Sequence, residues 1–348
     1  MRIPGLTKLP GLRTARWLAQ RTKGLKRPRA IILMYHRIGE PDADPWYLRV
    51  RPENFDAQMR VLRRRMRPMS MHQLLEALRD NVLSDRAVVV SFDDGYANNL
   101  HLAKPVLERY EIPATVFVTT GYLGTTKEYW WDELEQILLR PGSLPPTLRM
   151  RDIDVSFELG PAVHYAADEY HHDCAHTRDH SQRLQFYYKV WERLRPLAEG
   201  HRRRILQELW DWAGASGTTR ESHRSLTHEE LRELQRGNLV SIGAHTVTHP
   251  LLSELTAEEQ RREIRDSKLY LQRLLEKDID SFSYPFGRYT EETVSLVRSE
   301  GFTSSCSVTH GLVGIGADCL LLPRFSVLDW SGKEFEDHLL RWLNGSTA

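Results

Sequence analysis

Ala87-Val88-Val89-Val90-Ser91-Phe92-Asp93-Asp94-Gly95-Tyr96 is an apolar, β-branched run that ends abruptly in two adjacent carboxylates and a glycine. Such a run reads as a strand buried on both faces of a parallel sheet. Adjacent acids at its C-terminal end are costly unless water or a cation solvates them. In β/α barrels that end of the strand is where active sites are built. Taken alone, an Asp-Asp-Gly turn leading from strand to helix reads the same way.

Working outward, four more apolar runs have the same character: Ala30 to Tyr35, Ala114 to Thr119, Leu239 to Ala244 and Ser281 to Tyr284. Between them lie helical patterns over Pro52 to Arg65, His72 to Asn81, Asn98 to Tyr110, Thr227 to Arg236, Thr256 to Lys277 and Thr290 to Glu300, several opened by Ser, Thr or Asn. Strands alternating with helices predict an α/β fold, a parallel sheet or a β/α barrel. The span of about 125–224 breaks the rhythm with the aromatic cluster Tyr129, Trp130 and Trp131, a proline-rich stretch from Pro141 to Pro146, the histidine-dense His171 to His180, and one long charged helical pattern from Ser181 to Trp212. It reads as an insertion packed beside a barrel that occupies 30–348, or over the barrel's mouth.

The 348 residues, 41% of them hydrophobic, suffice for a barrel-sized core. With 48 Lys and Arg against 47 Asp and Glu, the net charge of +1 gives no reason to expect a nucleic-acid partner. Locally the balance differs. Residues 1–29 hold Arg2, Lys8, Arg13, Arg16, Arg21, Lys23, Lys26, Arg27 and Arg29 and no acid. The interleaved Leu and Trp would suit the anionic inner face of a membrane; a disordered basic tail would have the same composition. No apolar core of a secretory signal and no membrane-spanning run is present, and Cys174, Cys306 and Cys319 form no disulfide framework. These features predict a cytoplasmic protein, peripheral at most to the inner membrane.

Gly243-Ala244-His245-Thr246-Val247-Thr248-His249-Pro250 also follows an apolar run directly. Two imidazoles four residues apart can face one point, and with a carboxylate they make a facial set that leaves positions open for water and substrate. Such a pair alone is often merely surface or helix-capping. Its company with a strand-end Asp-Asp-Gly weakens that reading.

Together, Ser91-Phe92-Asp93-Asp94-Gly95-Tyr96 and His245-Thr246-Val247-Thr248-His249 resemble the polysaccharide deacetylases of carbohydrate esterase family 4. The resemblance implies a distorted (β/α) barrel that removes acetyl from an N-acetylated sugar. It implies Asp93 as catalytic base, and Asp94, His245 and His249 as ligands of a divalent metal, commonly zinc. The family's Arg-x-Pro-Tyr motif is matched in part by Ser283-Tyr284-Pro285-Phe286-Gly287, which implies the backbone N–H of Phe286 as an oxyanion donor. Ser283 stands where the base-orienting arginine belongs. Arg324, in Leu322-Pro323-Arg324-Phe325, is the candidate substitute, with a structural salt bridge as the alternative.

Ser326-Val327-Leu328-Asp329-Trp330 resembles the family's Asp-x-x-Asp-Trp motif without its first aspartate, and no Leu-x-His motif follows it. Instead Leu33-Met34-Tyr35-His36 ends the first strand, as in the permuted branch of the family typified by bacterial poly-N-acetylglucosamine deacetylases. His36 is therefore the expected general acid, ahead of His310 and His338. Without a leader, the sugar would be met before export, in a nucleotide-linked or lipid-linked intermediate of surface-polysaccharide assembly. His171, His172, Cys174, His176 and His180 offer either a second metal site or a polar loop. Two other functions fit the chain: a metal-independent hydrolase of non-peptide C–N bonds on the same fold, and a catalytically silent sugar-binding or membrane scaffold.

Overall fold

The computed structural model describes residues 28–40, 43–174 and 181–344, the side chains of 171–174 excepted. The basic segment up to residue 27 and the side chains of the His171 to His180 stretch lie outside the described residues. Six parallel strands carry the fold: β1 (Arg29–Tyr35), β2 (Ala87–Phe92), β3 (Ala114–Val118), β4 (Val240–Ala244), β5 (Ser281–Ser283) and β6 (Ser304–Cys306). They lie side by side in the order β6-β5-β4-β3-β2-β1. The first five agree with the five apolar runs to within one residue at each end.

The sheet curls, and its closure is incomplete. Leu322 makes a single parallel bridge to Cys306 of β6, and β7 (Phe325–Ser326) pairs in parallel with Leu33 and Met34 of β1. Between these contacts Pro323 has no N–H to give, and the Arg324 N–H goes to the Thr309 carbonyl. The seam is thus made by a segment too short and too interrupted to continue the ladder.

Side chains alternate across each strand. Ile31, Leu33, Val88, Val90 and Phe92 join Phe55, Met59 and Leu62 of the helix Pro52–Arg65 in the largest apolar cluster. Ala30, Ile32, Ala87 and Val89, on the opposite faces, gather with Phe117, Cys306 and Leu322 and with Met71, Leu74 and Leu78 of the helix Met71–Arg79. That helix therefore plugs the end where the strands begin and leaves the other end open. A Cβ on Gly243 would lie 2.5 Å from the Phe117 ring, so the glycine makes the room that this ring fills.

Ser70, Thr227, Thr256, Thr290 and Ser331 each open a helix with a reciprocal capping box, which fixes where those helices begin. Two helical readings need correction. Asn98 to Tyr110 divides into a π turn over Asn99–Ala103 and a helix over Lys104–Tyr110, because the Pro105 ring would strike the His101 carbonyl of a regular turn. The single pattern from Ser181 to Trp212 is two helices, Gln182–Leu194 and Glu199–Ala213, parted at Pro196.

Residues of the 125–224 span build a second apolar cluster around Trp130, Trp131, Tyr187, Trp191 and Leu209, joined by Ala43 from the segment after β1. Trp46, Leu48 and Phe286 pack against it. The cluster thus stands over the open end of the sheet. Among the described residues no helix is long and apolar enough to cross a membrane.

Candidate active site

β2 delivers Asp93 and Asp94 to that open end, and both are buried. The Asp93 N–H donates to the Tyr35 carbonyl at 2.9 Å, which continues the β1–β2 register past the last strand residue. Asp94 then turns into the left-handed region at φ +74°, followed by Gly95 at +83°. A Cβ on Gly95 would meet the Val118 side chain at 3.2 Å, so the glycine lets the chain turn sharply away and leaves the two carboxylates diverging.

Asp93 is held from several strands at once. Arg324 Nη1 donates to Asp93 Oδ1 and Nη2 to Asp93 Oδ2, each at 2.7 Å. The same guanidinium donates to Ser91 Oγ at 3.2 Å, Ser283 Oγ at 2.8 Å and the Ser307 carbonyl at 2.9 Å. Its Cζ lies 5.7 Å above the Phe117 ring, in the interior kept open by Gly243. Burial would raise the Asp93 carboxyl, but the charge of Arg324 and the hydrogen bonds from it override that and hold Asp93 well below the usual carboxylate range. Ser283, in the position where the motif expects arginine, donates to Asp93 Oδ2 at 3.2 Å and accepts from the arginine that reaches in from the seam.

Asp94 faces the two histidines. Its Oδ1 is 3.5 Å from His245 Nε2 and 3.5 Å from His249 Nε2. His245 Nδ1 donates to the Ser283 carbonyl at 2.7 Å, which leaves the Nε2 lone pair aimed at the carboxylate. Two acceptors therefore confront each other, and Asp94 Oδ1 and His249 Nδ1 are buried without a hydrogen-bond partner. Burial lowers both imidazoles, so they are neutral, and burial together with the charge of Asp93 pushes Asp94 well above the usual range. Neutral imidazoles and a carboxylate lacking a cationic partner form a donor set suited to a divalent cation. Ligands about 2.1 Å from a tetrahedral ion lie about 3.4 Å apart, close to the spacing seen.

The loop that carries the histidines is tightly fastened. Thr246 and His249 sit at φ +65° and +55°. Glu263, from the helix Ala257–Leu275, accepts from the N–H groups of Val247 and Thr248 at 2.8 and 2.9 Å and from Thr248 Oγ1 at 2.7 Å. The N–H groups of Thr120 and Gly121, just past β3, donate to the carbonyls of Thr246 and Val247. Left-handed non-glycine residues cost about 1–2 kcal/mol each and persist where their surroundings dictate them. Phe286 is another, at φ +54°, and its ring packs 4.5 Å from the His249 ring.

A cavity of about 500 Å³ brings His36, Asp93, Asp94, His245, His249 and Phe286 together. Arg324 lies behind it, fully buried, and reaches it only through Asp93. Asn99, on the π turn, fixes His36 by donating to its carbonyl at 2.8 Å. Burial lowers the His36 imidazole to about 4, against an upward pull from Asp93. His310 and His338 do not line the cavity. His310 is exposed, and His338 stacks on Trp330 at 3.8 Å. Asp329 accepts from the Arg51 N–H and from Asn54, so it anchors the start of the helix Pro52–Arg65.

The sequence reading missed the residues that fasten the site. Glu263 looks like one more acid on a charged helix, and Asn99 lies inside a helical pattern; neither carries a motif. It also gave no role to the cavity wall, formed by Trp46, Trp131 and Trp191 with Trp46 and Trp191 in contact at 4.1 Å. A second group, Asp132, Glu135 and His223, brings ligand-type atoms within 4.8 Å of one another. There Arg220 already forks onto Glu135 at 2.9 and 3.1 Å, and Tyr96 donates to Asp132 at 2.7 Å.

A curled parallel sheet with a carboxylate pair and a histidine pair at adjoining strand ends is the architecture of a sugar-deacetylase barrel. The polysaccharide deacetylase family model matches residues 80–190 and 212–305, well over half of the chain, and the chain belongs to that family. The Bacillus subtilis protein YxkH is 22% identical over 302 residues, covering 86% of this chain and 70% of YxkH. The Streptococcus pyogenes deacetylase PplD, solved in complex with acetate, is 20% identical and superimposes with a TM-score of 0.57 over 91% of this chain and 99% of its own. IcaB from Ammonifex degensii is 17% identical, with a TM-score of 0.56 over 92% and 98%. His36 and Arg324 both fall outside the residues that the family model matches.

Proposed function

We propose that this chain is a metal-dependent hydrolase that removes acetyl from the nitrogen of an N-acetylated sugar, in a glycan or a carrier-linked precursor of one. The observation that carries this reading is the placement of Asp94 Oδ1 3.5 Å from both His245 Nε2 and His249 Nε2, one residue from a carboxylate locked by Arg324, in a cavity shared with His36. Family membership supports it. Asp94, His245 and His249 would hold a divalent cation, zinc suiting the mixed imidazole and carboxylate set best. When bound, such a cation polarises an acetamide carbonyl and acidifies water at neutral pH.

The chain's own groups divide the proton work. Asp93, fixed at both oxygens, is ionised at rest and takes a proton from the attacking water, whose oxygen bonds to the carbonyl carbon. Phe286 is held in its left-handed turn and offers a backbone N–H for the carbonyl oxygen as charge develops there. As the C–N bond breaks, the nitrogen needs a proton. His36 is neutral at rest, so the proton it passes on is the one Asp93 has taken. Acetate and the free amine result.

His36 at the end of the first strand is the arrangement expected of the permuted branch, which we infer for this chain. We also place its substrate before export, on the cytoplasmic side, with the basic segment 1–29 touching the anionic membrane face. The test is acetate release from a panel of N-acetylhexosamine substrates by metal-loaded protein, with the chelated protein as control. Acetate release that survives complete removal of metal would favour metal-independent hydrolysis instead, and none under any condition would favour the silent scaffold.

A further inference from the structure

The cavity contains two guanidinium groups that the deacetylase reading leaves without a task. Arg195, at the end of the helix Gln182–Leu194, lies against the Trp191 ring at 4.8 Å. Its Nε is buried and has no hydrogen-bond partner. A buried N–H without an acceptor destabilises the fold, a cost that an arriving acceptor removes. Arg288, two residues beyond Phe286, is exposed and lines the same cavity, and the rings of Trp191 and Phe286 are 6.0 Å apart. Among the described residues no carboxylate pairs with either guanidinium, although most buried arginines of the chain are tied to acids or carbonyls. Among the described residues, the only carboxylates that line the cavity are Asp93 and Asp94. The first is neutralised by Arg324, and the second belongs to the metal-type cluster.

The walls around these arginines are otherwise apolar, with Trp46, Leu48, Val308 and Leu328 among them. The half-buried Arg195 guanidinium in such surroundings is weakly hydrated, and the fork of either arginine matches two oxygens of one anion. A neutral sugar would bring no anion to the Arg195 guanidinium.

We propose that Arg195 and Arg288 form a phosphoryl-binding subsite beside Asp94, His245 and His249, so that the sugar processed there carries a phosphate or diphosphate ester. This rests on the deacetylase reading and names its substrate class: a carrier-linked precursor, not a finished neutral polymer. The preceding reaction must then be a transfer that leaves an N-acetylated sugar on a phosphoryl carrier.

The test compares wild type with Arg195→Gln and Arg288→Gln, each metal-loaded, on a neutral N-acetylglucosamine oligosaccharide, N-acetylglucosamine 1-phosphate, a nucleoside diphosphate N-acetylglucosamine and a short-prenyl diphosphate N-acetylglucosamine. Calorimetric binding of N-acetylglucosamine 1-phosphate is measured in parallel. Wild type should prefer the phosphorylated sugars, and each substitution should reduce the ratio of kcat/KM for phosphorylated over neutral substrate about tenfold, mainly through KM. Arg140→Gln, at an exposed site outside the cavity, is the control and should leave that ratio alone. The nucleoside and prenyl arms show which carrier is preferred. An unchanged ratio in both variants, with wild-type binding of the 1-phosphate, overturns the subsite. Arginine-dependent binding without acetate release from any substrate keeps the subsite and overturns the deacetylase reading.

Discussion

Arg324 grips both carboxylate oxygens of Asp93 at 2.7 Å across 231 residues of sequence, from the seam of the curled sheet to the end of its second strand. The motif position that would normally supply an arginine holds Ser283, which hydrogen-bonds to both partners. An arginine thus reaches the carboxylate from another strand end, through an interior that Gly243 and Phe117 shape to receive it.

Removing the guanidinium leaves a buried carboxylate unpaired. Arg324→Ala should lower the unfolding free energy by about 3–5 kcal/mol in chemical denaturation. Arg324→Lys keeps the charge without the fork, and should fold and bind metal while losing at least about tenfold in kcat. Wild-type kcat in the lysine variant would make the pair a structural salt bridge only.

In the proposed reaction His36 carries the proton to the leaving amine. His36→Ala should reduce kcat by about 10²–10⁴-fold with metal content unchanged. The deficit should shrink on an activated aryl acetate, whose leaving group needs no proton. His310→Ala and His338→Ala should stay near wild type, since neither residue lines the cavity.

Glu263 fastens the histidine loop through three hydrogen bonds without touching the ligand atoms. Glu263→Ala should weaken metal affinity about tenfold, measured by competition with a chromogenic chelator. An unchanged affinity would show that the Thr120 and Gly121 contacts hold the loop by themselves.

Glu230 caps the helix His228–Gln235 and accepts two hydrogen bonds from Arg224, at the end of the 125–224 span. The hydrogen bonds from Arg224, opposed by burial and aided by the Thr227 N–H, lower its carboxyl to about 2. The folded state therefore prefers the ionised form. The stability this contributes is fully present above about pH 5 and disappears as the pH falls towards about 2. The difference in Tm between wild type and Glu230→Gln should be constant above pH 5 and narrow below it.

The strands were legible because parallel strands buried on both faces show as uninterrupted β-branched runs, and the helices because Ser and Thr capping boxes mark their starts. Asp93, Asp94, His245 and His249 were legible as pairs at strand ends. The split helices were less so, because Pro105 and Pro196 interrupt the backbone hydrogen bonds while the apolar period runs on through them. β7 spans only Phe325–Ser326 and sits beside a proline, too short to show a period. Glu263, Asn99 and the wall from Trp46 to Trp191 act through contacts between distant segments, which no local pattern encodes.

The most direct measurement is metal content and acetate release determined on the same preparations of wild type, His245→Ala and Asp93→Asn. Wild type should hold about one divalent metal per chain and release acetate from an N-acetylated sugar. His245→Ala should lose both, and Asp93→Asn should lose acetate release while keeping the metal. Full metal content in His245→Ala, or undiminished turnover in Asp93→Asn, would contradict the assignment of ligand and base.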